Sequence, residues 1–245
     1  MSDTIIYGRH PVTEAIQSAK TFDKVLFQQG IKGEFEREVR TLCKRYNIPM
    51  QIVPKERLSH LSKGKNHQGI IGLMSAIKYQ RLKNILHNWD DDTKAPLFLV
   101  VDGVTDVRNI GAIARSAELA GVDALVLSQK KTAPINAEAI KASAGALTKL
   151  PVCREKSISS VVDFLQLKDI QVLASDLKAI DKVYEMDFKT PTAIIVGSEN
   201  RGVNPHLLEK VDETFIIPQV GASDSFNVSV ATGIILYEVM RQRGA

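Results

Sequence analysis

Apolar positions recur along this chain with two spacings, and the change from one to the other outlines its elements. Between Pro11 and Lys20 the spacing is helical, with Val12, Ala15, Ile16 and Ala19 on one face. Lys24–Phe27 is a short apolar run stopped by Gln28-Gln29-Gly30, which predicts a strand and a turn. Glu34–Tyr46 returns to helical spacing, with Phe35, Val39 and Leu42 on one side. Pro49–Val53 and Gly69–Met74 predict two more strands. Ser59–Gln68 between them is polar, basic and glycine-bearing, and reads as a loop able to carry binding groups. Residues 1–75 therefore form a small α/β unit.

Residues 76–95 hold a short helical pattern (Leu82, Ile85, Leu86, Trp89) and the acidic turn Asp90-Asp91-Asp92, where a domain boundary is expected. Beyond it the pattern alternates. Leu97–Val101, Ala124–Leu127, Ile170–Ala174, Ala193–Val196 and Thr214–Ile217 read as strands. Ile110–Leu119, Ala137–Ala142 and Ile158–Leu167 read as helices. Strands apolar throughout, alternating with helices, predict a parallel sheet covered on both faces. Ligands of such sheets lie beyond the carboxyl ends of the strands.

The last stretch breaks the amphipathic rule. Ser225-Phe226-Asn227 opens with small polar residues able to cap a helix, and Val228–Glu238 is then apolar on almost every face. A helix of that kind is normally buried.

Composition adds the charge distribution. The chain of 245 residues carries a net charge of +4, but residues 1–75 hold 12 Lys/Arg against 7 Asp/Glu, and residues 76–245 hold 20 against 21. The basic excess lies wholly in the first third, which points to a polyanion-binding module joined to a near-neutral one. No apolar run is long enough to span a membrane, and no signal peptide is expected at Met1–Thr4. Cys43 and Cys153 have no Cys or His partners at zinc-like spacing, so reduced thiols of a cytosolic protein are expected.

The strand-end rule selects three segments. After Val101 comes Asp102–Ala117, in which Asn109 is placed to cap a helix and Arg115 lies six residues further on. After Val196 comes Gly197-Ser198-Glu199-Asn200-Arg201-Gly202; its glycines let the backbone turn and approach a ligand, but no Lys-Ser/Thr follows for a triphosphate. The third runs from Ile217-Pro218 through Gly221 to Ser225–Ala231. No Ser-His-Asp arrangement is available, since His206 is the only histidine beyond residue 87.

Together these segments resemble the three signature motifs of the SpoU (TrmH) family of RNA ribose 2′-O-methyltransferases. The residues are Asn109-Ile110-Gly111-Ala112 with Arg115, Gly197–Gly202, and Ile217-Pro218 followed by Ser225–Ala231. Tyr7–Val12 and His67–Ile70 resemble the family's L30e-like RNA-binding extension. Two departures from the pattern stand out: Asp-Pro is frequent before the Asn of the first motif, but here Asp106 is followed by Val107-Arg108, and Phe226 stands where leucine is usual.

The resemblance implies an L30e-like RNA substrate-binding domain over 1–75, a linker over 76–95, and a trefoil-knotted SPOUT methyltransferase domain over 96–245. It implies S-adenosylmethionine as cofactor, a cytoplasmic homodimer, and structured RNA as substrate. A guanosine ribose of 23S rRNA is the first expectation, with tRNA, or a non-catalytic RNA-binding role on the same fold, as alternatives. The resemblance places Arg115, Asn109, Glu199, Ser225 and Asn227 at the reaction, and Gly197, Gly202, Ile217 and Phe226 at the cofactor. Arginine is the family's proposed general base, but a guanidinium stays protonated below pH 12. An electrostatic role for Arg115, with Glu199 accepting the proton, is chemically simpler. Arg9, Lys63 and Lys65 are the expected RNA contacts.

Overall fold

The computed structural model describes residues 5–89, 94–129, 132–198, 201–222 and 224–244. The chain divides into two units: Met1–Lys78 with Pro134–Ala137, and Tyr79–Ala133 with Glu138–Ala245.

The first unit runs β1 (Ile5–Tyr7), α1 (Arg9–Gln17), β2 (Phe22–Gln28), α2 (Glu34–Arg45), β3 (Met50–Val53), α3 (Lys55–Leu61) and β4 (Ile70–Met74). Its sheet has the order β1-β4-β2-β3; β4 is antiparallel to both neighbours, and β2 and β3 are parallel. Side chains of β2 alternate between faces as a pleated strand requires. Val25 and Phe27 pack with Val12, Ile16, Val39 and Leu42 of α1 and α2, while Leu26 joins Leu58 of α3 and Ile71 on the other face. The loop expected from Ser59 starts later, because Ser59–Leu61 complete α3. Leu58 is fully buried and Leu61 packs beside it, a helical pair too short to stand out in sequence.

The second unit runs α4 (Leu82–His87), β5 (Leu97–Asp102), α5 (Val107–Leu119), β6 (Ala124–Ser128), α6 (Ala137–Ala142), β7 (Val152–Glu155), α7 (Ile158–Gln166), β8 (Gln171–Ser175), β9 (Thr192–Gly197), α8 (Pro205–Leu208), β10 (Glu213–Phe215) and α9 (Val228–Arg243). Its strands are all parallel, in the order β10-β8-β9-β5-β6-β7. Phe98, Val100, Val126, Val172 and Ile195 form one core face with α4, α7 and α8. The intervening Leu99, Val101, Leu127, Leu173 and Ile194 are also fully buried, which explains why these strands read as continuous apolar runs. Leu82 belongs to this core, and its N–H donates to Glu155 Oε1 at 3.0 Å.

Two local features position the site. The cap of α5 is Asp106, not Asn109: Asp106 Oδ1 accepts from the N–H groups of Arg108 and Asn109 at 2.7 and 3.0 Å. Asn109 therefore lies inside the first turn, with its side chain available for a tertiary contact. Gly111 admits α6, since a Cβ there would meet Ala142 Cβ at 2.4 Å.

The end of α9 is fastened down. Arg243 donates to the carbonyls of Phe188, Ala95 and Thr190 at 2.8, 2.6 and 3.1 Å. Gln242 bridges Met186 O and Phe188 N, both at 2.9 Å. Hydrogen bonds to a charged group are worth about 1.5–3 kcal/mol each, and their effects do not add fully. Arg243→Ala is expected to lower stability by about 2 kcal/mol, measured as a shift of the urea midpoint at unchanged slope. An unchanged midpoint would show that water replaces the contacts without loss.

Candidate active site

The carboxyl ends of β8, β9 and β10 converge on a cleft of about 290 Å³ in the second unit. Gly197, Gly202, Ile217, Ser225 and Phe226, all singled out from sequence, line it. Its walls are largely apolar, with Leu177, Val196, Val228 and Ala231 beside them, and Ser175, Asp176, Lys178, Ser198, Arg201 and Gln219 add polar and charged groups. This volume is near the lower end of the range for small-molecule sites, about 300–1,000 Å³.

The middle wall is a backbone hairpin closed on itself. Ser198 N–H donates to Gly202 O at 3.1 Å, and Gly202 N–H donates to Ser198 O at 2.8 Å. Gly197 is required by space and Gly202 is favoured by its backbone conformation. A Cβ on Gly197 would lie 2.0 Å from the carbonyl carbon of Gly202, and Gly202 has φ +65°. Asp102, at the end of β5, holds the far side of the hairpin by accepting from Asn204 N–H at 3.1 Å. Glu199, at the hairpin's turn in sequence, lies outside the described residues.

The mouth of α9 joins the first motif to the third. Asn227 caps α9 through Oδ1, which accepts from Ser229 N–H at 2.9 Å. Its Nδ2 donates to Asn109 Oδ1 at 3.2 Å, linking residues 118 apart in sequence. Arg115 is placed elsewhere. It is exposed, does not line the cleft, and makes no hydrogen bond or ion pair among the described residues. Six residues beyond Asn109 on a helix, it is displaced by about 9 Å along the axis and turned to another face.

Sequence reasoning missed the fourth wall, Ser175–Lys178 after β8. The strand-end rule applies to Ile170–Ala174 as it does to its neighbours, and it would have found this segment. The thiols offer no alternative chemistry. Burial pushes Cys43 up to about 11 and Cys153, with help from nearby Glu155, up to about 12, so neither is an effective nucleophile at neutral pH.

In the first unit, Arg9 and Lys65 line a common notch with Lys55 and His67, whereas Lys63 does not line it. Arg9 stacks over Phe35, with its guanidinium carbon 4.4 Å from the ring centroid.

Residues 96–237 match the model of the SpoU rRNA methylase family. The chain belongs to the SpoU family. Residues 5–80 match the family model for RNA 2′-O ribose methyltransferase substrate binding. A relative from Staphylococcus haemolyticus, assigned to the TrmH family of tRNA/rRNA methyltransferases, is 31% identical over 99% of this chain and 97% of its own length. The fold is shared with the SpoU methyltransferase AviRb from Streptomyces viridochromogenes in complex with AdoMet: TM-score 0.62, 23% identity, 98% of this chain and 90% of that one. A TrmH/SpoU tRNA modifying enzyme from A. aeolicus is 31% identical, with a TM-score of 0.57 over 62% of this chain and 77% of that one. The second unit of this SpoU protein is thus the SPOUT-type parallel sheet expected from the motifs, and the first is the family's small substrate-binding unit.

Proposed function

We propose that this SpoU protein transfers a methyl group from S-adenosylmethionine to a ribose 2′-hydroxyl of structured RNA, most specifically a guanosine of 23S rRNA. The observation that carries the reading is the cleft at the strand carboxyl ends, walled by residues of the second and third motifs. Its glycine hairpin brings the backbone close to the cleft beside an apolar wall, which suits a nucleoside-bearing cofactor. Gly197, Gly202, Ile217 and Phe226 would hold S-adenosylmethionine, which supplies an electrophilic methyl carbon.

The other groups act on the RNA. The ribose hydroxyl loses its proton as the carbon–oxygen bond forms and the sulfur–carbon bond breaks. We assign the proton to Glu199, and stabilisation of the emerging negative charge to Arg115. Asn109, Asn227 and Ser225 orient the hydroxyl, and the 3.2 Å bond between the two asparagines fixes their amides relative to each other. The rRNA assignment draws on the basic first unit, in which residues 1–75 hold 12 Lys/Arg against 7 Asp/Glu. Calorimetry with S-adenosylmethionine tests the catalytic reading against a binding-only module: micromolar binding supports it, and no binding contradicts it.

The working form is proposed to be a homodimer. Leu119 of α5 and Val230 and Tyr237 of α9 are 71%, 50% and 65% exposed, an apolar surface on two helices packed together. Arg115 and Leu119 share a face of α5, as residues four apart on a helix do, so pairing would bring Arg115 to the interface. Tyr237→Asp is expected to yield monomers in sedimentation velocity and to lose methyl transfer. A dimer with full activity would remove this surface from the account.

A further inference from the structure

The first unit holds a concavity that none of the three motifs uses. It is a notch of about 600 Å³, open to solvent, between the start of α1 and the 62–69 loop. Arg9, Lys55 and Lys65 stand around it, and among the described residues no aspartate or glutamate lines it.

The loop is locally over-determined. Gln68 has φ +50° and Gly69 φ +81°, and a Cβ on Gly69 would lie 2.1 Å from Ile31 Cδ1. Gly69 N–H donates to Nδ1 of His67 at 3.0 Å, so the ring proton is on Nε2, which faces Ser59 Oγ at 3.3 Å. Burial, and then the charge of Lys55, hold the His67 pKa below its ordinary value, which keeps the ring neutral and this bond intact at physiological pH. Gln68 ties the loop to α1: its Oε1 accepts from Arg9 N–H at 2.9 Å, and its carbonyl accepts from Arg9 Nε at 3.5 Å. Phe35 supports the guanidinium from one side. A polar loop rich in left-handed backbone is normally mobile; this one is held in place, with cations around an open notch.

The chemistry of the notch favours one part of a nucleic acid. Base recognition without pairing normally uses an aromatic stacking face. Among the described residues no Phe, Tyr or Trp lines the notch; the His67 imidazole is 7% exposed and engaged by Gly69 N–H and Ser59 Oγ, and the two nearby rings, Phe35 and Tyr7, already carry Arg9 and Lys65 against them. What it offers is positive charge and amide donors, the partners of phosphate oxygens.

We propose that this notch grips the phosphodiester backbone of the RNA substrate through Arg9, Lys55 and Lys65, with Gln68 as the residue that positions Arg9, and that it does not read base identity. The proposal rests on the RNA methyltransferase reading above. Its consequence is that the first unit contributes affinity and register, while the choice of nucleotide is made by RNA shape and by the second unit.

The test uses the full-length protein and modification-free transcripts tiled across 23S rRNA, with the tightest-binding transcript titrated against salt. Each neutralised phosphate contributes about 0.7–0.9 to the slope of log affinity against log salt. The triple variant Arg9→Ala/Lys55→Ala/Lys65→Ala is expected to lose about 2 from that slope and to bind at least tenfold more weakly at 0.1 M salt, with S-adenosylmethionine affinity as the check on folding. Restoring charge with Arg9→Lys should recover its share of the slope, Gln68→Ala should lose part of it, and base substitutions in the protected segment should leave wild-type affinity within about threefold. An unchanged slope in the triple variant, or strong dependence on base identity at this segment, overturns the proposal. Methyl transfer to the same transcript, measured in parallel, separates the failures: an unchanged slope with methylation intact overturns the notch alone.

Discussion

Arg115→Ala is expected to reduce methyl transfer by on the order of 100- to 1,000-fold in kcat, the range seen when one preorganised charge-stabilising group is removed. Affinity for S-adenosylmethionine should stay within about twofold, because Arg115 does not line the cleft. Its guanidinium makes no ion pair among the described residues, so no described carboxylate competes for its charge. Arg115→Lys separates the contribution of charge from that of guanidinium geometry. A lysine keeps a positive charge but loses the planar fork of donors, so partial activity supports charge stabilisation and complete loss supports bidentate geometry. Glu199→Gln belongs beside it. If Glu199 accepts the proton, its amide variant should be nearly inactive across the pH range; retained activity would move the proton elsewhere.

Gly197→Ala should be the most damaging single methyl group in the second unit. The added Cβ would fall 2.0 Å from the carbonyl carbon of Gly202 and 2.1 Å from the nitrogen of Val203. These are backbone atoms of a hairpin closed by two hydrogen bonds, so no side chain can swing aside. Overpacking costs about 1–3 kcal/mol, and the hairpin must also open, which moves the wall of the cleft. A displacement of about 1 Å near a reacting group costs on the order of 100-fold in rate. Cofactor affinity by calorimetry and thermal stability should therefore both fall. Gly221→Ala, with nothing within 4 Å of the added Cβ, is the control and should change neither.

The parallel sheet was legible because its strands are buried on both faces, and Leu97–Val101 and Ala193–Val196 have no polar position to confuse the period. The elements that escaped are short. β1, α3, β7 and α8 have 3, 7, 4 and 4 residues, too few to establish a period. β7 also carries Arg154, buried at 8% exposure with its guanidinium carbon 3.9 Å from the Tyr79 ring centroid, a polar position that hides a core strand. At the site, the glycines and the Asn227 cap were readable because turn and capping chemistry are local. The Asp106 cap was not, since two side chains three residues apart competed for the same role and only the true start of α5 decides between them. The bond between Asn109 and Asn227 has no local signal at all. Neither does the separation of Arg115 from the cleft, which follows from helix geometry once α5 is placed.

Ribose methylation of rRNA is tested most directly by transfer of a labelled methyl group from S-adenosylmethionine to modification-free 23S rRNA and tRNA transcripts, followed by alkaline hydrolysis. A 2′-O-methyl group blocks cleavage at its own phosphodiester. The account predicts label in a single alkali-resistant dinucleotide containing guanosine, from 23S rRNA and not from tRNA. Label in mononucleotides, which would mean a methylated base, or label confined to tRNA, would contradict it.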